Sequence, residues 1–200
     1  MPLILIYNPA CGDRTGKTFF ENDVLPFLKA QSISTNLVVE TTHVGHAGEV
    51  AARFVKDHAS SKETLSIVLG SGDGTFHEVI NAIYDLWSKE SYREAQPKIR
   101  VALVPCGTAN ALYSSLFPVH NPDQMKTVDY RLQSVKAFVE GRGGAPLSLA
   151  TTRLRSNPSN GGEVKTTKSL LSAVVASTSL HAAILHYSEA LRQEHPGLER

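Results

Sequence analysis

Four short apolar runs, each followed by a segment of helical periodicity, set the strongest limit on what this chain can fold into. The runs are LILIYNP (3–9), STNLVVETT (34–42), TLSIVLG (64–70) and KIRVALVPCG (98–107). Between them, KTFFENDVLPFLKAQ (17–31) spaces Phe19, Phe20, Val24, Phe27 and Leu28 as a helix does, with Pro26 inside it as a kink. HAGEVAARFVKDHA (46–59) carries Val50, Phe54 and Val55 on one face, and TFHEVINAIYDLW (75–87) carries Phe76, Val79, Ile80, Ile83 and Trp87. TANALYSSL (108–116) starts another helix, and one more is expected around PDQMKTVDYRLQSVKAFVEG (122–141). Strand and helix in strict alternation predict an α/β fold, an open and mostly parallel sheet with helices on both faces. In such folds ligands sit beyond the carboxyl ends of the strands. After Gly143 the pattern changes. APLSLATTRLR (145–155) and VKTTKSLLSAVVASTSLHAAI (164–184) read as antiparallel strands around an SNPSNGGE loop. The expected division is therefore 1–142 for the α/β domain and 143–200 for the start of a β-rich domain.

Composition removes several function classes. The formal net charge of +1 on 200 residues gives no bulk charge for nucleic acid, so no nucleic-acid partner is expected. No apolar run reaches the length of a membrane span, and MPLILIYNPACG lacks a basic leader, so it is read as a first strand. The two cysteines, Cys11 and Cys106, do not make a disulfide framework. They are read as free thiols of a reducing, cytoplasmic compartment, although both sit in glycine-bearing turns that could bring them together. The eight histidines show neither an H-E-x-x-H motif nor zinc spacing, and there is no G-x-S-x-G elbow.

The glycine-bearing turns that follow the strands carry the chemistry. The stretch LGSGDGTFHE places Gly70, Gly72 and Gly74 around Asp73, where an apolar run ends and a helix begins. Glycines there let phosphate oxygens approach backbone N–H groups at a helix N-terminus. A carboxylate beside an anion site needs its own reason. Asp73 can accept a hydroxyl proton, help hold Mg²⁺, or close an Asx-turn. Thr75 and Glu78 have capping-box spacing, which competes with nucleotide contact as the role of Glu78. The first turn, NPACGDRTGKT, approaches a Walker A loop but has one residue too few between Gly12 and Gly16, so Lys17 reads as a solvated helix-start residue. No G-x-G-x-x-G follows the first strand. In the third turn, VPCGTANAL, Thr108 can cap a helix and Asn110 can hydrogen-bond a ligand.

NPACG, GSGDGTFHEVINAI and PCGTANALYSSL, in this order and spacing, resemble the catalytic domain shared by sphingosine kinases and diacylglycerol kinases. The third motif is closer to the sphingosine kinase form, and VVASTSLHAAI…SEALR…GLER also resembles that branch. The resemblance implies an ATP-dependent lipid kinase with Asp73 as catalytic base, flanked by Ser71, Gly72 and Gly74 beside phosphate and acceptor hydroxyl. It implies a nucleotide site built from Asn8, Pro9 and Gly12, from Thr41 and His46 near the adenine, and from Thr75, Glu78, Gly107, Thr108 and Ala109. Arg192 and Arg200 match late arginines that reach the phosphates, against the plainer reading of solvated helix charges. Mg²⁺ would enter with ATP and need no direct protein ligand. The partners implied are a lipid substrate and a transient membrane surface, with oligomeric state open and a dimer one option.

Two departures stand out. Sphingosine kinases carry an aspartate before the S-E-x-x-R stretch, whereas Leu185, His186 and Tyr187 occupy that region here. Family members also continue into a β-rich domain that holds most of the lipid pocket, so this stretch by itself is expected to be a poor lipid kinase with an exposed sheet edge. The alternatives to a sphingoid-base kinase are a diacylglycerol kinase, an NAD kinase-like enzyme, and an inactive nucleotide-binding relative.

Overall fold

The computed structural model describes residues 1–60, 62–89, 96–142, 144–155 and 166–174. Strands β1 (Leu3–Tyr7), β2 (Leu37–Glu40), β3 (Leu65–Ser71) and β4 (Ile99–Pro105) form a parallel sheet in the order β2-β1-β3-β4. Every residue of β1 and β3 is buried, as a sheet covered on both faces requires.

Side chains alternate across the sheet and divide the core in two. Leu3, Leu5, Tyr7, Val68, Ala102 and Val104 face one layer, which contains Phe20, Val24, Leu28, Val135 and Phe138. Ile4, Ile6, Leu65, Ile67 and Leu69 face the other, packed by Ala51, Phe54, Val55, Val79 and Ile83. The first layer is α1 (Gly16–Phe19), a π turn over Phe20–Val24, and α2 (Leu25–Ala30), joined by α6 (Val128–Arg131) and α7 (Gln133–Val139) from later in the chain. The second is α3 (His46–Asp57) and α4 (Asp73–Trp87). The helix expected over 17–31 thus runs on through Pro26. The π turn precedes the proline, with the Leu25 N–H bonded to Phe20 O, and is the irregularity that the helix carries beside Pro26. The helix expected over 122–141 is instead a 3₁₀ turn (Pro122–Lys126) followed by α6 and α7.

The hairpin of β5 (Ala150–Arg155) and β6 (Thr166–Ser172) is antiparallel, as expected for the region after Gly143. Asn81 on α4 ties it to the first unit. Its Nδ2 donates to Leu171 O at 2.9 Å and its Oδ1 accepts from Leu171 N at 2.8 Å. Among the described residues no helix is long and apolar enough to cross a membrane.

The strand order matters for function because the chain leaves β1 in one direction and β3 in the other. The crevice of such a sheet opens at this switch point, beyond the strand carboxyl ends. There Asn8 N, just after β1, bonds to Gly70 O near the end of β3 at 2.9 Å.

Candidate functional site

The three glycine turns converge at that crevice, and their glycines serve different ends. Gly12 has φ +55°, and a Cβ on it would lie 2.3 Å from Cys106 O. A Cβ on Gly107 would lie 2.3 Å from Gly72 Cα, and one on Gly72 would lie 3.0 Å from Gly107 Cα. The first turn therefore packs backbone to backbone on the third, and the third on the second. Gly70 makes room for Phe20, whose ring would be 2.0 Å from a Cβ there. Gly74 alone of the group has nothing within 4 Å of its Cβ position. Of the three glycines expected to admit a phosphate, Gly70 and Gly72 are explained by packing, and only Gly74 fronts open space.

The helix starts three residues before the capping box requires. Gly72 is the N-cap of α4 and no side chain caps it. Thr75 lies buried inside the first turn, where its Oγ1 meets Asn8 Nδ2 at 3.4 Å. Glu78 is thereby freed from the capping role and accepts the N–H of Gly45 at 3.0 Å instead. Gly45 is the N-cap of α3 with φ +87°, so Glu78 joins the starts of two helices. An uncapped N-terminus on a 15-residue helix presents free N–H groups and partial positive charge to the crevice.

Asp73 opens α4, but its carboxylate closes no Asx-turn. Oδ2 accepts the N–H of Ala111 at 2.8 Å and Oδ1 that of Leu112 at 3.1 Å. These are first-turn donors of α5 (Ala111–Leu116), so Asp73 supplies from a distant turn the cap that α5 lacks. Thr108, expected as that cap, is exposed and does not serve, as is its neighbour Ala109. Asn110 is the N-cap residue, with φ +50°, and its side chain is spent on its own turn. Asn110 Oδ1 accepts from Gly107 N at 2.8 Å and Nδ2 donates to Gly107 O at 2.6 Å. Asp73 also borders a small cleft of about 10 Å³ between Ser71, Phe76, Leu103, Pro105 and Tyr113. Ser71 is buried, with Oγ donating to Gly72 O at 3.0 Å.

The first turn holds itself together. Asn8 Oδ1 accepts from Ala10 N at 2.9 Å, and the half-buried Pro9 sits between them. Lys17 is not simply solvated, for it pairs with Glu40 of β2 at 2.9 Å, and Tyr7 OH donates to the same carboxylate at 3.1 Å. The hydrogen bond from Lys17 is the main reason that Glu40 titrates below the usual carboxylate range. Thr41 is buried at the end of β2, its N–H on Tyr7 O at 2.9 Å. His46 begins α3, accepts the Thr42 N–H at 3.1 Å and stacks on His43 with centroids 4.8 Å apart. Arg192 and Arg200, like His181 and the 185–187 region, lie outside the described residues.

Two features of the site escaped the sequence reading. Asn81 belongs to the GSGDGTFHEVIN run, yet nothing local marks its partner, which lies 90 positions later. Arg131 lies in a helix far from the turns and reaches under them, with Nη2 3.6 Å from Cys106 Sγ and its guanidinium 3.6 Å from the centroid of the Phe19 ring. The turn residues were legible because glycine and asparagine mark them, whereas a long side chain arriving from another layer leaves no mark.

Residues 2–138 match the family model "Diacylglycerol kinase catalytic domain". The chain is 32% identical over 154 residues to sphingosine kinase 2 of Homo sapiens, covering 77% of this chain and 22% of that protein. It is 33% identical over 120 residues to sphingoid long chain base kinase 5 of Saccharomyces cerevisiae, covering 60% of this chain and 16% of that protein. A solved diacylglycerol kinase from Bacillus anthracis superposes with a TM-score of 0.44 at 20% identity, covering 78% of this chain and 43% of that one. The chain thus spans less than a third of the length of these curated relatives. With the matched span running through all three glycine turns, the chain belongs to the diacylglycerol kinase catalytic domain family.

Proposed function

We propose that residues 1–142 form the nucleotide-binding domain, and 143–200 the beginning of the lipid-binding domain, of an ATP-dependent lipid kinase. The observation that carries this reading is the uncapped N-terminus of α4 at the sheet's switch point, with Asp73 as its first residue. In this reading the free N–H groups of Asp73, Gly74 and Thr75 receive phosphate oxygens, with Gly74 leaving the space for them. Asn8, Pro9, Gly12, Gly107, Thr108 and Ala109 supply the flanking walls. Thr41 and His46 border the base, and Glu78 fixes α3 against α4 between them. Arg192 and Arg200 are proposed to reach the phosphates.

The α5 amides fix Asp73 in place, and lone pairs remain on both oxygens for an acceptor hydroxyl. The carboxylate orients that hydroxyl and takes its proton as the O–P bond forms. Magnesium bound to the phosphates would neutralise their charge. The metal is assigned to the nucleotide, which leaves the remaining lone pairs of Asp73 to the acceptor hydroxyl. The acceptor is proposed to be a sphingoid base, with diacylglycerol second. The names of the curated relatives support that order.

A second reading draws on one specific observation. Because Asp73 caps α5, the residue has a structural use that a nucleotide-binding relative without turnover would also keep. Labelled ATP offered with sphingoid base, diacylglycerol, NAD or buffer alone, using the full-length protein, separates the readings. Label in a lipid is expected. Label in NAD, or ATP bound without transfer to any acceptor, overturns the lipid-kinase reading.

A further inference from the structure

Beneath the first and third turns lies a cluster that the phosphoryl-transfer reading does not use. Cys106 is 5% exposed, and the half-buried Cys11 packs against the core cluster to which Cys106 belongs. Cys11 Sγ donates to Asn8 O at 3.0 Å. Arg131 brings Nη2 to 3.6 Å from Cys106 Sγ. The backbones already touch, since the Cβ position of Gly12 meets Cys106 O and that of Gly16 lies 3.8 Å from Cys106 Sγ. In the same turn as Cys11, Ala10, Asp13, Arg14 and Thr15 are exposed.

We propose that Cys11 and Cys106 form a reversible thiol–disulfide couple, a modification site for hydroperoxides that staples the first turn to the third.

The electrostatics divide the roles. The hydrogen bond from Cys11 and the charge of Arg131 draw the Cys106 thiol down against its burial. Acting as donor to Cys106, together with burial, holds Cys11 up. Cys106 is therefore the attacking thiolate and Cys11 the resolving thiol. In the first step the thiolate displaces hydroxide or alkoxide from the peroxide O–O bond and becomes a sulfenic acid. In the second, the Cys11 sulfur attacks the sulfenic sulfur, the S–S bond forms, and water leaves with the Cys11 proton. The dithiol loses two electrons and the peroxide gains them.

The test is hydrogen peroxide titration of the reduced, folded chain, followed by thiol counting and non-reducing peptide mapping. Both thiols should disappear together, the mass should fall by two hydrogens, and a Cys11–Cys106 peptide pair should revert with dithiothreitol. Cys11→Ser should leave Cys106 as a sulfenic acid trapped by dimedone. Arg131→Gln should slow the reaction several-fold by removing the cation beside the Cys106 sulfur. Two thiols that survive excess peroxide, or Cys106 over-oxidised without cross-link while Cys11 is present, would overturn the couple. One consequence depends on the proposed nucleotide site: saturating MgATP should shield the pair and slow cross-linking. Equal rates in a chain that binds ATP would overturn that shielding. Cross-linking in a chain that binds no ATP would count against the proposed function and not against the couple.

Discussion

Replacing Asp73 with asparagine tests two roles of one side chain. In the native protein both carboxylate oxygens accept backbone N–H groups, from Ala111 at 2.8 Å and Leu112 at 3.1 Å. An asparagine keeps one of these bonds and turns its NH₂ toward the other N–H, setting donor against donor. Hydrogen bonds to a charged acceptor contribute about 1.5–3 kcal/mol, and a partly solvated site stands at the low end. Loss of negative charge at the start of α5 adds about 0.3–1 kcal/mol. Asp73→Asn should therefore cost about 2 kcal/mol of stability, a fall in Tm of about 4–8 °C for a domain of this size. Phosphoryl transfer by the full-length protein should drop by about 10²–10⁴-fold through loss of the proton acceptor. Thermal melts and the amide shifts of Ala111 and Leu112 measure the first effect, and turnover measures the second. A variant with the native melt and unmoved amides would refute the capping argument. Native turnover in a variant that melts early would leave Asp73 structural and refute the base.

Other substitutions separate packing from function. Gly107→Ala should destabilise by about 1–3 kcal/mol or more, because its Cβ meets Gly72 Cα at 2.3 Å; an unchanged urea midpoint would contradict the turn packing. Gly74→Ala faces open space inside a helix, so it should melt at or above the native temperature while losing ATP affinity. Asn81→Ala should leave the parallel sheet intact and speed amide exchange at Leu171, the group it clamps. Glu40 has a depressed folded pKa, so its contribution is present above the unfolded carboxylate value and is lost as pH falls through the folded one. Lys17→Ala should move the Glu40 midpoint, followed by NMR, back toward the ordinary range, and an unmoved midpoint would contradict the pairing.

What the sequence made legible follows from the range of each interaction. Alternation of apolar runs and helical segments set the layers, and turns rich in glycine and asparagine marked the crevice. The capping box at Thr75 misled because a short motif cannot reveal that α4 begins at Asp73 and that Glu78 is wanted by Gly45, 33 positions earlier. The partners of Asp73 lie 38 and 39 positions downstream, so its capping role could not be read locally. The packing role of Gly72 and Gly107 was hidden for the same reason, since the neighbour each makes room for is the other, across two strands.

The most direct test of the nucleotide site is an amide-resolved NMR titration of the chain with MgATP. Saturable shifts should concentrate at Gly12, at Gly72 to Thr75 and at Gly107 to Ala109, and should weaken in Gly74→Ala while the fold persists. Absence of saturable binding, or shifts centred away from the three turns, would contradict the account.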